Sequence, residues 1–412
     1  MAYEKLLEPI KVGPRTLQNR FFIQAMETNM EDPTGNPSEN TTNRYVDLAK
    51  GEAGLITLEA ISVTRESRAR DNQLMIMPQN LKPLTAFMDK VHAANPKSVV
   101  VFQLTHSGEL SEPSFSRRVT PNPLPGYGGE LLTEDDVAHI MDEFVTSAKI
   151  AYDCGADGID LKLCHGYLGS QMIRPHNDRN WKYGGSWENR TRFPYELMER
   201  IRKEIPDENF LIGSKISAWE GFPGGFGTEG PHSPVMDLTE PIDLIKGLEE
   251  RGASYIVQSA GSPGITVSLT QCDKHVPYFS YLHQYWAKEF RKHMRPETVL
   301  IGSNFSPFGN GNNGLCAVTP EESNLLDFGQ WCIEDGVCDM IALGRQSLAD
   351  PYLPKKVREG KIEDIHFCRL CDACLELLIQ QSPVGCVVNN KFAAETLVKT
   401  RQEKGALKVH HT

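Results

Sequence analysis

Three cysteines separated by two-residue gaps, Cys368, Cys371 and Cys374, are followed closely by a fourth, Cys386. A C-x2-C-x2-C run places three thiolates on one tight loop, and a fourth from the next turn completes a set of four sulfur donors. Iron–sulfur clusters are held by runs of this kind. Zinc more often takes two separated Cys or Cys/His pairs, and disulfides need an oxidising setting, so a [4Fe-4S] cluster is preferred over zinc and over disulfides. Such a chain is expected to move electrons. The other six cysteines (Cys154, Cys164, Cys272, Cys316, Cys332 and Cys338) are scattered and read as buried thiols.

A large fold must position these thiols. The chain has 412 residues, 40% hydrophobic and 24% charged, which is ordinary globular composition with enough apolar residues for a sizeable core. The net charge is −11 and there is no basic run, which speaks against nucleic acid or an anionic membrane surface as partner. No stretch reaches the roughly 18 apolar residues of a membrane span. The opening MAYEKLLEPIKVG carries charges among its apolar residues and has no signal-peptide core. With the cysteine usage, this points to a reducing, cytoplasmic setting.

Apolar β-rich runs recur at 19–25, 54–60, 98–104, 157–163, 210–217, 254–259, 299–303 and 339–344. Between and after them lie helical patterns near 40–50, 80–94, 133–154, 187–204, 238–251, 281–294, 319–336 and 350–360, with helix starts marked at Thr133-Glu-Asp-Asp136 and Thr319-Pro-Glu-Glu-Ser323. Eight strands alternating with eight helices predict an α/β fold, a (β/α)8 TIM barrel, with an open doubly wound sheet as the alternative. In a barrel the site lies at the C-terminal strand ends, which directs attention to the loops at 26–40, 104–132, 164–187, 218–237, 260–280 and 304–318. Residues 1–360 read as the barrel and 361–412 as a cluster-binding extension. Gly309-Asn-Gly311-Asn-Asn-Gly314 fits G-x-G-x-x-G only formally, since Pro307 separates it from the strand and no helix follows at once.

Several short motifs, in order, resemble the Old Yellow Enzyme family of flavin oxidoreductases. They are Asn19-Arg20-Phe21, Leu58-Glu59-Ala60, Gln103-Leu-Thr-His106, Cys164-His165-Gly166-Tyr167, Arg174-Pro-His176-Asn-Asp-Arg179, Tyr183-Gly-Gly-Ser-Trp-Glu-Asn-Arg190, Leu343-Gly344-Arg345 and Ala349-Asp350-Pro351. The cysteine run behind them resembles the iron–sulfur branch of that family, which includes dienoyl-CoA and enoate reductases and trimethylamine dehydrogenase. The resemblance implies FMN at the barrel mouth. Ala25, Met26 and Ala60 would line the isoalloxazine ring, Gln103 and Lys215 its pyrimidine edge, and Gly344 and Arg345 the phosphate. It also implies Tyr167 as proton donor, with His165 and Lys162 holding the substrate oxygen. A straight strand would turn residues 162 and 165 to opposite faces, so the strand must end near Cys164. Glu27 departs from the family at a flavin-facing position; it excludes a cysteine-linked flavin there, and a carboxylate beside a reduced flavin needs a partner, expected to be Lys162 or Lys215.

The activity so implied is ene-reduction: a hydride from FMN to the β-carbon of an activated C=C bond and a proton from Tyr167 to the α-carbon of an enoate, enone or thioester. Gln271, His275, Tyr278 and Phe279 form the expected specificity wall. Larger members of the branch continue into nucleotide-binding domains that this chain is too short to hold. A separate electron-donor protein feeding the cluster is therefore expected, with NAD(P)H as the alternative reductant. The sequence leaves room for a homo-oligomer. The rival activities are oxidative amine demethylation, which Lys162 would disfavour by repelling a cationic substrate, and a non-catalytic electron carrier.

Overall fold

The computed structural model describes residues 3–272, 278–311 and 324–407. Eight parallel strands close into a barrel: β1 (Phe21–Ile23), β2 (Leu55–Ser62), β3 (Val99–Thr105), β4 (Gly158–Leu163), β5 (Leu211–Ser217), β6 (Tyr255–Ser259), β7 (Val299–Gly302) and β8 (Met340–Leu343). Closure is made where Ile341 of β8 faces Phe21 of β1. The open-sheet alternative is thereby excluded. Every strand is buried along its length, as a parallel sheet covered on both faces requires.

The helices fall where the amphipathic patterns predict: α1 (Glu39–Lys50), α2 (Leu81–Ala94), α3 (Glu134–Asp153), α4 (Trp187–Glu204), α5 (Thr239–Glu250), α6 (Tyr278–Arg291), α7 (Leu325–Glu334) and α8 (Leu353–Arg358). Thr133 caps α3 in a reciprocal box with Asp136, satisfying otherwise orphaned N–H groups. The start expected at Thr319 lies outside the described residues, and α7 begins at Leu325 with Asn324 as its cap. The pattern at 350–360 corresponds to α8, and Asp350-Pro351 separates it from a short additional helix, Arg345–Ala349. Gly309 and Gly311 follow a 3-10 turn at Ser306–Phe308, so strand and glycines are not joined directly; Gly314 lies outside the described residues. Among the described residues no helix is long and apolar enough to cross a membrane.

Inside the barrel, Phe22, Val101, Tyr255 and Ile301 pack with Val12 and Leu17 of an N-terminal hairpin, Ile10–Val12 with Arg15–Leu17, which closes the end remote from the site. At the other end the 361–407 stretch covers the mouth. It carries α9 (Ala373–Ile379) and α10 (Lys391–Lys404), joined by Arg401 forking onto the buried Glu376. Val384 N donates to the Thr28 carbonyl at 2.7 Å, and Cys368 N donates to Gln346 Oε1 at 2.9 Å.

Three consecutive strand-to-helix loops are pinned by one buried arginine. Arg174, after β4, donates through Nε to Glu220 Oε2 at 2.6 Å and through Nη1 to Glu109 Oε1 at 2.7 Å. Its side chain is 2% exposed, and the two carboxylates are 0% and 1% exposed. Removing one partner of a buried ionic set leaves uncompensated charge. Arg174→Met is therefore expected to lower the unfolding free energy by about 3–5 kcal/mol in urea titration at pH 7. A loss below about 1 kcal/mol would show that these loops are held by other contacts.

Candidate functional site

The C-terminal ends of the strands surround a cavity of about 560 Å³ whose wall is completed by Cys374, Leu375 and Leu378 of the C-terminal stretch. At its centre lies Glu27, on the loop leaving β1. Its Oε1 accepts from the Tyr167 hydroxyl at 2.6 Å and from Lys162 Nζ at 3.1 Å, and its Oε2 accepts from Arg70 Nε at 3.1 Å. Burial alone would raise this carboxyl, but the charges of Lys162 and Arg70 and the phenol's hydrogen bond bring it down to about 2. Glu27 is thus a fixed anion. Burial and the Glu27 charge in turn push the Tyr167 phenol up to about 12, so it keeps its proton. Lys162 Nζ lies 3.3 Å from the centroid of the Tyr167 ring, a cation–π contact.

Lys162 is the expected partner of Glu27. Lys215 is not: it is Lys162's register neighbour on β5, and its Nζ donates instead to Gln24 Oε1 at 2.6 Å. Burial lowers Lys215, and the nearby Lys162 charge adds to the effect. β4 ends at Leu163 and His165 adopts φ 63°, a left-handed turn that lets residues 162 and 165 line the same cavity. His165 Nε2 bonds Ser259 Oγ at 2.8 Å. Burial pushes its imidazole well below the usual range, with Lys215 and Lys162 reinforcing the shift, so the ring is neutral.

Gln103 Nε2 donates to Asp160 Oδ1 at 2.8 Å, which spends one amide donor inside the barrel and leaves the amide oxygen for the cavity. Burial raises Asp160 to about 7. Ala25, Met26, Gly344 and Arg345 also line the cavity. Arg345 is turned toward the C-terminal stretch, where it donates to Asp372 Oδ1 at 2.6 Å and to the Cys272 carbonyl. Ala60 is buried off the cavity wall, at an irregularity of β2 between Leu58 and Ile61, with its carbonyl accepting from Gln73. Of the expected specificity wall, Gln271 lines the cavity; Tyr278 is exposed, Phe279 packs against the core, and His275 lies outside the described residues.

Cys368, Cys371, Cys374 and Cys386 line one small cavity beside the larger one, and Cys374 and Arg345 border both. Left-handed backbone at Leu370 and Asp372, φ 51° and 54°, wraps the run around it. Among the described residues, no three His, Cys, Asp or Glu side chains already converge as a metal site. Sequence reading missed Arg70, which sits in Arg68-Ala-Arg70-Asp71 after β2; a cation run on a strand-to-helix loop was its only signal.

Residues 5–251 match the NADH:flavin oxidoreductase / NADH oxidase family. The NADH oxidase of Thermoanaerobacter brockii is 28% identical over 398 residues, covering 94% of this chain and 56% of that protein. Cinnamate reductase of Clostridium sporogenes is 29% identical, covering 98% of this chain and 61% of that protein. The chain thus spans little more than half the length of these curated relatives. The structure of 2-naphthoyl-CoA reductase shares the fold, with a TM-score of 0.78 at 21% identity over 95% of this chain and 58% of that one.

The Glu27 carboxyl is held at about 2 against an ordinary 4.5, so its stabilisation is complete above about 4.5 and disappears as pH falls through about 2. Glu27→Gln is expected to cost roughly 3 kcal/mol at pH 7, and the gap to wild type should close between these pH values. Urea unfolding across pH checks this; a gap independent of pH contradicts it.

Proposed function

The chain belongs to the NADH:flavin oxidoreductase / NADH oxidase family, and on that premise we propose that it is an FMN-dependent ene-reductase acting on a C=C bond conjugated to a carbonyl, carboxylate or thioester. The observation that carries this reading is the Tyr167 phenol. It lines the cavity, is held protonated up to about 12, and is bonded at 2.6 Å to a carboxylate too acidic to take its proton. A phenol so placed is matched to a strongly basic carbon centre.

The cavity fits the flavin by its donor set: the Gln103 amide oxygen and the Lys215 ammonium for the ring edge, Ala25 and Met26 for an apolar wall, and the Gly344 backbone for the phosphate end, where Arg345 would have to leave Asp372 and Cys272 to reach the phosphate. FMN, when bound, supplies two-electron reduction at the C=C bond and exchanges single electrons with other centres. His165 is neutral and has one N–H; with Ser259 Oγ donating to its Nε2, that N–H sits on Nδ1 and is the one offered to the acceptor oxygen as charge develops there. Tyr167 gives its proton at the α-carbon, its hydroxyl turning from Glu27 Oε1 toward that carbon as it does so. Lys162, 3.3 Å from the ring centroid, stabilises the phenolate as it forms, while Glu27 opposes its earlier formation. Lys162 therefore acts through Tyr167 and Glu27 more than as a bare cation for substrate.

We read Cys368, Cys371, Cys374 and Cys386 as the ligands of a [4Fe-4S] cluster. In support, Cys374 borders both cavities and Cys371 is exposed, a layout suited to passing electrons from a separate donor protein inward, with NAD(P)H as the other reductant. Amine oxidation is disfavoured: among the described residues the wall carries Arg70, Lys162, Lys215 and Arg345 against the single carboxylate of Glu27, with Tyr167 as its one Phe, Tyr or Trp ring.

Anaerobic photoreduction followed by flavin absorbance tests the reading. Reoxidation by α,β-unsaturated carbonyl compounds is expected, slowed about 100-fold or more in Tyr167→Phe. Bleaching of the oxidised flavin by an amine, or an unchanged rate in the variant, would overturn it.

A further inference from the structure

Arg70 is anchored through its Nε. That nitrogen donates to Glu27 Oε2 at 3.1 Å and the Tyr167 phenol lies close by; among the described residues neither Nη atom makes a hydrogen bond of ordinary geometry, although the side chain is only 22% exposed and lines the cavity. A guanidinium with its Nε committed and its Nη edge open presents the parallel N–H geometry that matches a carboxylate. The surrounding charges agree. Glu27 balances one of Lys162 and Arg70, which leaves one positive charge in surplus within a buried cluster. Burying a surplus charge is costly until an anion joins it.

The loop that carries Arg70 is fixed on both sides of it. The Ala69 carbonyl accepts from Gln381 Nε2 at 3.0 Å, and Asp71 N donates to Gln381 Oε1 at 3.2 Å. One side-chain amide from the C-terminal stretch thus clamps the residues before and after Arg70. Ala69 N is also bonded to Gln73 Oε1 at 2.8 Å, and Asn72 N to Asn29 Oδ1 at 2.8 Å. A cation anchored through Nε and clamped at its backbone binds a ligand with little further ordering cost.

We propose that Arg70 is the residue that binds a carboxylate of the substrate, so that the enzyme prefers α,β-unsaturated acids over their neutral esters, with Gln381 positioning Arg70 for that contact. This rests on the ene-reductase reading for the word substrate; the carboxylate site itself does not. Lys162 is less suited to the same task, since its ammonium is shared between Glu27 and the Tyr167 ring and offers no fork.

The test pairs each acid with its methyl ester. In the flavin-loaded protein, kcat/KM is measured for crotonate and cinnamate and for their esters, and the acid-to-ester ratio is the readout. Wild type should favour the acids, and Arg70→Met should collapse the ratio about 100-fold, the scale of a lost charge-assisted pair. Arg70→Lys should recover only part of it, because a point charge cannot fork onto two oxygens. Gln381→Ala should lower the ratio by a smaller factor through KM. Calorimetry with 3-phenylpropanoate and its amide reads the same preference without turnover. If neither acids nor esters are reduced, yet 3-phenylpropanoate binds and Arg70→Met abolishes that binding, the ene-reductase reading fails and the carboxylate site stands. If acid and amide bind wild type equally, or the ratio survives Arg70→Met, the assignment of Arg70 is wrong.

Discussion

A carboxylate inside a protein must be neutralised or surrounded by donors, and Glu27 is buried at the mouth of a barrel. Its solution recruits three side chains from two stretches of chain: the ammonium of Lys162 on β4 and the phenol of Tyr167 just beyond it, and the guanidinium of Arg70 on the loop after β2. Each partner is altered by the contact. Tyr167 is held protonated, Lys162 keeps its charge against burial, and Arg70 is anchored through its Nε. The chemistry proposed for the site follows from that one anion.

The barrel supplies what this arrangement needs. Parallel register puts Lys162 beside Lys215, two cations whose mutual repulsion is relieved by sending one to Glu27 and the other to Gln24. The positive φ of His165 turns the chain so that His165, Tyr167 and Lys162 face one space. Arg174 holds the surrounding loops from below, and the C-terminal stretch closes them from above through Gln381 and Val384. The stretch that carries the four cysteines is therefore also part of the wall around Glu27 and its partners.

The fold was legible because its signals are periodic: apolar runs alternating with amphipathic ones place the strands and most helices within a few residues of where they lie. The Glu27–Lys162 pair was also within reach, since a lone carboxylate among positions expected to face a flavin demands a cation. Arg70 was not. Its role depends on a loop whose path is set by Gln381, more than three hundred residues away in the chain, and no local pattern carries that information. The spending of the Gln103 amide on Asp160, and the turning of Arg345 toward Asp372, were hidden for the same reason. Each is a choice among partners made by tertiary packing. Ala60 stands off the cavity wall, next to an irregularity in β2 that shifts the alternation of faces a regular strand would keep.

Glu27 is proposed to hold the Tyr167 proton until it is transferred to carbon. The direct measurement is the pH dependence of flavin reoxidation by an unsaturated acceptor, in wild type and in Glu27→Gln. With the phenol raised to about 12, the wild-type rate should stay level well into the alkaline range. Removing the Glu27 charge should bring the alkaline fall to lower pH, because that charge disfavours the phenolate. An alkaline limb that does not move between the two proteins would contradict the account.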